Sequence, residues 1–378
     1  MKVVAAVLAT LLVLLLAGLV WLWPRYPYLP AEESPWLAKR TSSLPLLSEL
    51  AEERGYVNIN GPTVIRVPDW VRRPLGRYYM YFAHHKGSYI RLAYANSPLG
   101  PWTLYRPGVM PLSASGFPET VEEGEEVAGI GTLFDTFSLY VIRDYLLMAY
   151  RALVTDPAER KARGLSAQAP QAVHVASPEI YVDEANWRLL MYYHGYDGRG
   201  NQSSRMAISE DGLSFEVQPQ RVFSTYLRGF EFGDQHYLLA MPGVLYRGRD
   251  PEGPFEPRDR LLFEPDMRHA GLLLEGSTLY VFWSSVGYAP ERILLSQVDL
   301  SPPDWNDWVA TAPVDLLRPE VHWEGSALSV RPSLRGEMYA AAHELRDPFV
   351  FRDRDGQLYL YYVGGGEKGI GVARLIRR

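Results

Sequence analysis

Two carboxylates open apolar, aromatic-rich segments of this 378-residue chain. Asp347 stands in Arg346-Asp347-Pro348-Phe349-Val350-Phe351, and Glu179 in Ser177-Pro178-Glu179-Ile180-Tyr181. A third, Glu324, lies between Trp323 and Gly325 in a long connection. Carboxyl groups brought to one cleft from separate strands can work as an acid–base pair, one protonated and one ionised. Each also has a plainer use. An Asp before Pro caps turns, Glu179 fits the solvent side of an alternating strand, and Glu324 fits an exposed loop. Five of the eight histidines, His84, His85, His174, His269 and His343, fall near segments of the same kind. Imidazoles there could bond hydroxyls, orient a carboxylate or hold an ion, or simply be satisfied within the fold. Arg268 and Arg346 occupy equivalent strand starts, where bidentate pairing would suit an anionic group.

The elements that must position these groups repeat along the chain. Gly61-Pro62-Thr63-Val64-Ile65, Ser177-Pro178-Glu179-Ile180-Tyr181 and Asp347-Pro348-Phe349-Val350-Phe351 are each followed by an aromatic strand. Those strands are Tyr78-Tyr79-Met80-Tyr81-Phe82, Leu189-Leu190-Met191-Tyr192-Tyr193 and Leu358-Tyr359-Leu360-Tyr361-Tyr362. A third strand and a polar turn before an aromatic follow, as in Ser97-Pro98-Leu99-Gly100-Pro101-Trp102. Weaker copies begin at Gly229-Phe230 and at Met267-Arg268-His269. Five such units predict an all-β, five-bladed β-propeller over residues 56–378, closed by terminal segments. Inner strands are expected to begin near residues 60, 176, 230, 269 and 347. Residues 106–171 break the pattern and read as an insertion.

Composition narrows the chemistry. There is no cysteine, so disulfides, thiolate catalysis and Cys-ligated zinc are excluded. A net charge of −6 without a basic run argues against nucleic acid. The 25 tyrosines suit strands and inter-blade packing, and in a cleft would stack on sugar rings. No metal motif occurs by spacing, and no cofactor is indicated. The oligomeric state is not legible.

Val3 to Trp23 is an unbroken apolar run after Lys2, long enough to span a bilayer as a helix. Trp21, Trp23 and Pro24-Arg25 close it, and no good cleavage site follows, so residues 1–23 read as an uncleaved membrane anchor rather than a signal peptide. The propeller would then face the periplasm or cell exterior, or be secreted if the segment is cleaved. Residues 24–55 read as a Pro-rich tether and a short helix with Leu44, Leu46, Leu47, Leu50 and Ala51 on one face.

The motifs Gly61-Pro62…Val67-Pro68-Asp69-Trp70, Tyr79-Met80-Tyr81-Phe82-Ala83-His84-His85, His174-Val175-Ala176-Ser177-Pro178-Glu179 and Arg346-Asp347-Pro348 resemble the five-bladed propeller glycosidases. That superfamily comprises glycoside hydrolase families 43, 32, 62, 68 and 117, and the chain is most similar to uncharacterised family 43-like bacterial proteins. The resemblance covers residues 56–378 apart from the insertion. It implies three carboxylates around the funnel: an Asp base in the first blade, an orienting Asp and a Glu acid. The first-blade position is Asn60-Gly61-Pro62, without a carboxylate. Glu179 stands near the orienting position, Trp323-Glu324-Gly325 is similar to a Glu-Gly acid motif, and Arg346-Asp347-Pro348 matches the Arg-Asp-Pro motif of family 32-like enzymes.

With the apolar segment Val3–Trp23 as anchor, the resemblance implies a membrane-anchored, extracytoplasmic glycoside hydrolase acting on a polysaccharide-derived glycan with inversion. Asp347, Glu179 and Glu324 would be catalytic, and His84, His85, His174, Arg268, His269 and Arg346 would bind substrate. The missing first-blade carboxylate keeps open a non-catalytic carbohydrate-binding or protein-interaction propeller. Some resembling enzymes hold a channel calcium, for which no ligand set is specified here.

Overall fold

The computed structural model describes residues 31–48, 58–84, 87–120, 173–197, 202–222, 224–264, 266–333, 336, 338 and 340–378. The proposed membrane segment, His85 and most of the insertion lie outside the described residues. Among the described residues no helix is long and apolar enough to cross a membrane.

Five antiparallel meanders form five blades, with no α-helix among the described residues. Blade 1 runs Asn60–Arg66, Tyr78–Ala83, Tyr89–Ala95 and Thr103–Pro111. Blade 2 runs Val175–Asp183, Arg188–Tyr196, Gln202–Ser209 and Glu216–Val222. Blade 3 is Thr225–Phe232, Gln235–Met241, Val244–Gly248 and the short Glu256–Pro257. Blade 4 is Met267–Glu275, Thr278–Ser285, Ile293–Asp299 and Val314–Leu317. Blade 5 has Leu345–Arg352, Leu358–Gly364 and Gly369–Arg377. Its fourth strand is Trp36–Arg40, from the other end of the chain.

The inner strands begin close to the expected positions except in blade 3, which starts earlier, at Thr225. Blade 1 continues to Pro111, so the break in the repeat begins after that residue rather than at 106.

The expected helix after the tether is not formed where the chain is described. Trp36–Arg40 pairs antiparallel with Gly369–Arg377, from Trp36 opposite Arg377 to Arg40 opposite Ala373, and Leu47–Ser48 pairs with the start of the same strand. The physical reason is the unpaired edge. Gly369–Arg377 pairs with Leu358–Gly364 along one edge only, so the backbone donors and acceptors of its other edge need a partner. Trp36 is buried while Leu37 and Lys39 point outward, the period of two that a strand requires.

An ion pair locks this closure. Glu324, fully buried, accepts from Arg40 Nε and Nη2, both at 2.8 Å, and from the Tyr362 hydroxyl at 2.8 Å. It also accepts from the backbone N–H of Glu320 and Val321 at 2.8 and 3.3 Å. Arg40→Ala strands this carboxylate in the interior. It is expected to cost about 3 kcal/mol, read from the denaturant midpoint; a loss below about 1 kcal/mol would show that the closure does not depend on the pair.

Each gap between blades is filled by apolar side chains from both sides. Tyr79 and Tyr81 pack against Leu189, Met191 and Tyr193 between blades 1 and 2, and Tyr359, Tyr361 and Val363 against Val64, Met80 and Phe82 between blades 5 and 1. The tyrosine hydroxyls then reach the polar turn of the next blade. Tyr81 donates to Gly212 O at 3.0 Å and Tyr361 to Pro98 O at 2.7 Å. Burial of a large ring with its polar tip bonded is what makes Tyr suited to this joint.

Candidate functional site

All five inner strands carry a register shift at one height, between Asn60 and Thr63, Ala176 and Glu179, Thr225 and Arg228, Met267 and Ala270, and Arg346 and Phe349. Four of these bulges hold a residue in the left-handed region: Gly61 (φ 56°), Ser177 (φ 48°), Tyr226 (φ 57°) and Asp347 (φ 48°). A bulge kinks the strand and re-aims its side chain. The non-glycine cases are costly conformations that persist where surrounding contacts over-determine them.

Just below the bulges the axis is plugged by Arg228. Its Nε donates to Ala270 O at 3.0 Å in blade 4, and its Nη1 to Glu179 Oε2 at 3.0 Å and Pro178 O at 3.3 Å in blade 2. Nη2 reaches Pro62 O at 3.5 Å in blade 1, and the guanidinium lies 5.7 Å from the Phe349 ring centroid in blade 5. One side chain of blade 3 thus touches all four other blades. Glu179 also accepts from Thr63 Oγ1 at 3.0 Å and Gly229 N at 3.4 Å. Burial pushes the Glu179 carboxyl up, against the pull of Arg228 and these hydrogen bonds.

Above the plug sit Asp347 and His269. Asp347, fully buried, accepts the Gly61 N–H at Oδ2 (2.9 Å), and its Oδ1 meets His269 Nδ1. The Tyr226 ring packs on the imidazole at a centroid separation of 4.0 Å. On the other side of Tyr226 lies His194 at 4.4 Å, and His174 follows at 5.7 Å. Burial, then the negative charges of Asp347 and Glu367, push the Tyr226 phenol far up, so it stays protonated. These groups come from blades 5, 4, 3 and 2 and form one continuous row.

A buried ionic array flanks the row between blades 4, 5 and 1. Arg346 forks onto Glu344, with Nε–Oε1 at 2.8 Å and Nη2–Oε2 at 3.0 Å, and reaches Glu367 through Nη1 at 2.9 Å. Glu291 stands between Arg346 and Arg268 at 3.6 and 3.5 Å. Asn58 Nδ2 donates to the other Glu367 oxygen at 2.5 Å. Burial alone would lower the Arg346 pKa, but the carboxylates of Glu344, Glu291, Glu367 and Asp347 overcome it and raise it. Burial pushes the Glu344 carboxyl up, with Arg346 opposing. Glu291, Glu344 and Glu367 are faced by Arg268 and Arg346, and Lys368 adds a third positive charge beside Glu367.

Of the residues selected from sequence, the structure brings Asp347, His269 and His174 into the row, with Arg268 and Arg346 beside it. Glu179 belongs to the axial plug, and Glu324 to the closure of blade 5, held by Arg40. His84 is buried just past the end of Tyr78–Ala83, the end of the blade that lies opposite Asn60. Arg268 and Arg346 do not present themselves to an anionic sugar, because their guanidinium groups are buried among glutamates.

The absent carboxylate of blade 1 also has a reason. A Cβ on Gly61 would lie 2.8 Å from Ser177 Cα, too close to stand. The equivalent bulge position that carries a carboxylate is Asp347, in the neighbouring blade of the closed ring.

Sequence reading passed over Tyr226, His194, Arg228, Glu291, Glu344 and Glu367. Arg228 was findable in principle: it stands three residues after Thr225 as Glu179 stands three after Ala176. Glu291 and Glu367 lie in turns between second and third strands and carry no signal of their own. Among the described residues no group of three or more His, Asp or Glu side chains could hold a metal ion.

This five-bladed architecture is similar to that of solved glycoside hydrolase structures. The structure matches one described under "The GH130 family of mannoside phosphorylases contains glycoside hydrolases that target beta-1,2 mannosidic linkages in Candida mannan", at TM-score 0.54 and 12% identity over 93% of this chain and 96% of that one. It also matches a putative glycoside hydrolase from Parabacteroides distasonis at TM-score 0.54 and 10% identity, over 89% and 95% of the two chains. A GH43_1 enzyme from Xanthomonas citri follows at TM-score 0.50 and 11% identity, over 89% and 90%. At such identities the likeness establishes the fold alone. No family model matches the chain. By sequence it belongs to the family of "Uncharacterized protein R118" of Acanthamoeba polyphaga mimivirus, 30% identical over 344 residues, 84% of each protein.

Proposed function

We propose that the protein is a carbohydrate-active propeller that cleaves a glycosidic bond at the bulge end of its channel, outside the cytoplasm and tethered by residues 1–23. The observation that carries this reading is the convergence of Asp347, His269, Tyr226, His194 and His174 from four blades at one end of the axis. Aromatic and imidazole groups beside a buried carboxylate suit sugar rings and their hydroxyls. The propeller fold shared with glycoside hydrolases supports it.

A second reading is a binding propeller without turnover. It is favoured by Glu179 and Glu324, whose oxygens are committed to Arg228 and Arg40. The test is a panel of neutral, amino and acidic oligosaccharides, followed by release of reducing ends and by calorimetric binding. Release of reducing ends from one of these glycans, with the first-formed anomer inverted in the proton NMR spectrum, is the expected result. Binding across the panel without release would favour the second reading.

A further inference from the structure

We propose that the end of the propeller formed by the first hairpin of each blade is a membrane-contacting face. It rests on the bilayer surface with Trp187 in the headgroup layer, and the bulge end, with its row of polar groups, points away from the lipid. The proposal rests on the reading of residues 1–23 as a membrane tether.

Strand register fixes the two ends. Every inner strand starts at its bulge and runs to the hairpin that joins it to the second strand. The five bulges therefore lie at one end and the five hairpins at the other. Trp36 lies opposite Arg377, and Leu375 lies opposite Leu358, the first strand residue after the blade 5 hairpin. The chain from Ala31 onward thus enters the propeller at the hairpin end, where the Ala31 carbonyl accepts from Arg378 Nη1 at 2.9 Å.

Seven residues, 24–30, separate Ala31 from Trp23, the last residue of the apolar run. That stretch reaches about 25–30 Å when fully extended. The nine-residue strand Val175–Asp183 alone spans about 30 Å from the bulge end to its hairpin. Only a tether drawn straight along a blade could set the bulge end on the same bilayer, whereas the hairpin end needs none of that reach.

Exposed apolar side chains at the hairpin end are spread around the ring. Trp187 in the blade 2 hairpin and Val309 at the edge of blade 4 are each 69% exposed. Val309 belongs to this end because Ala310 bridges to Val298, and the next residue, Asp299, lies opposite Thr278 at the start of its strand. Leu37 and Ile376, paired across the closure of blade 5, are 41% and 43% exposed. Leu44, Leu328 and Val330 are exposed at the bulge end, so apolar exposure alone does not choose between the ends. The attachment of the tether and Trp187 do.

Trp187 occupies a conformation that the fold does not need a tryptophan to fill. Its backbone is left-handed, at φ 53°. The left-handed residue of the corresponding hairpin is Gly233 in blade 3, Gly276 in blade 4, Gly356 in blade 5 and Arg73 in blade 1. Glycine takes this conformation without the crowding that a Cβ brings. In blade 2 the turn is held from both sides by Asp183, which accepts from Asn186 N at 3.2 Å and Arg188 Nε at 2.8 Å. The result is a large indole in solvent. An apolar ring with one N–H suits the headgroup layer, where tryptophan is enriched.

The chain has no cysteine, so single thiols can be introduced cleanly. The test uses full-length Ala185→Cys, Val309→Cys and Leu328→Cys, each spin-labelled and reconstituted into phosphatidylcholine vesicles that carry a nickel-chelating lipid. Flotation isolates the vesicles, and nickel broadening of the label spectrum reports closeness to the headgroups. Strong broadening at Ala185→Cys and Val309→Cys and weak broadening at Leu328→Cys is the expected result. Equal broadening at all three, or the strongest at Leu328→Cys, overturns the proposed face and leaves the tether standing. A chain that fails to float overturns both. With Trp187→Gly added, the Val309→Cys label should lose broadening while the thermal midpoint holds or rises, because glycine relieves the turn. Unchanged broadening would overturn the part given to Trp187. None of these measurements uses a glycan, so their outcome is separate from that of the oligosaccharide panel.

Discussion

Arg228→Ala is expected to lower global stability by about 3–5 kcal/mol, the range for removing one partner of a buried ion pair. The loss has two parts. Glu179 keeps its buried charge but retains only the Gly229 N–H and the Thr63 hydroxyl, which it shares with Pro178 O, and the Ala270 carbonyl loses the Arg228 donor. Each buried acceptor left unmade costs on the order of 1–3 kcal/mol. The missing side chain also opens a void where five blades meet. Arg228→Lys should fall between, since an ammonium cannot make the same fork of contacts. The double variant Arg228→Met with Glu179→Gln separates charge from volume. It should recover more than half the loss, because the stranded charge is gone and the axis is refilled. Urea unfolding followed by tryptophan fluorescence measures all three. An alanine variant within about 1 kcal/mol of wild type would mean that the blades hold together through their apolar gaps alone.

The axial contacts show how far the sequence could be read. The repeat of apolar and aromatic strands was legible because burial on both faces imposes it on every blade. The start of blade 3 was not. There the bulge residue is Tyr226, which carries none of the Gly, Pro or Asp punctuation that marks Gly61-Pro62, Ser177-Pro178 and Asp347-Pro348. The glycine that resembles such punctuation is Gly229, one residue beyond Arg228.

The closing strand was hidden for a different reason. Trp36–Arg40 is short and alternates only weakly, and its strand character comes from the unpaired edge of Gly369–Arg377 some 330 residues away in sequence. Tertiary context also decided the carboxylates. Asp347, Glu179 and Glu324 all proved buried and all bonded, but sequence position could not say which would meet a histidine and which an arginine. That depended on blade order around the ring, which sets His269 beside Asp347, Arg228 beside Glu179 and Arg40 beside Glu324.

Arg346→Met removes the cation at the centre of the array and keeps most of its volume. Glu344, Glu367 and Glu291 are then left facing one another with Arg268 as the remaining guanidinium, and a loss of about 3–5 kcal/mol is expected near neutral pH. The pH dependence distinguishes this from a packing defect. Burial already raises the Glu344 pKa above 4.5 in the folded protein, and Arg346 opposes that rise. Without Arg346 the carboxyl should rise further, so the folded variant binds protons more readily than the unfolded chain. Stability of the variant relative to wild type therefore improves as pH falls from neutrality towards 4.5 and worsens as it rises. Denaturation curves at pH values across that window should show the deficit narrowing on acidification. A deficit that stays constant with pH would indicate lost packing and not stranded charge. The same variant bears on the ligand. Because the guanidinium is spent on glutamates, the folded fraction should bind a neutral glycan with little change in affinity. A specific loss of acidic-glycan binding would instead show that Arg346 leaves its array to meet the ligand.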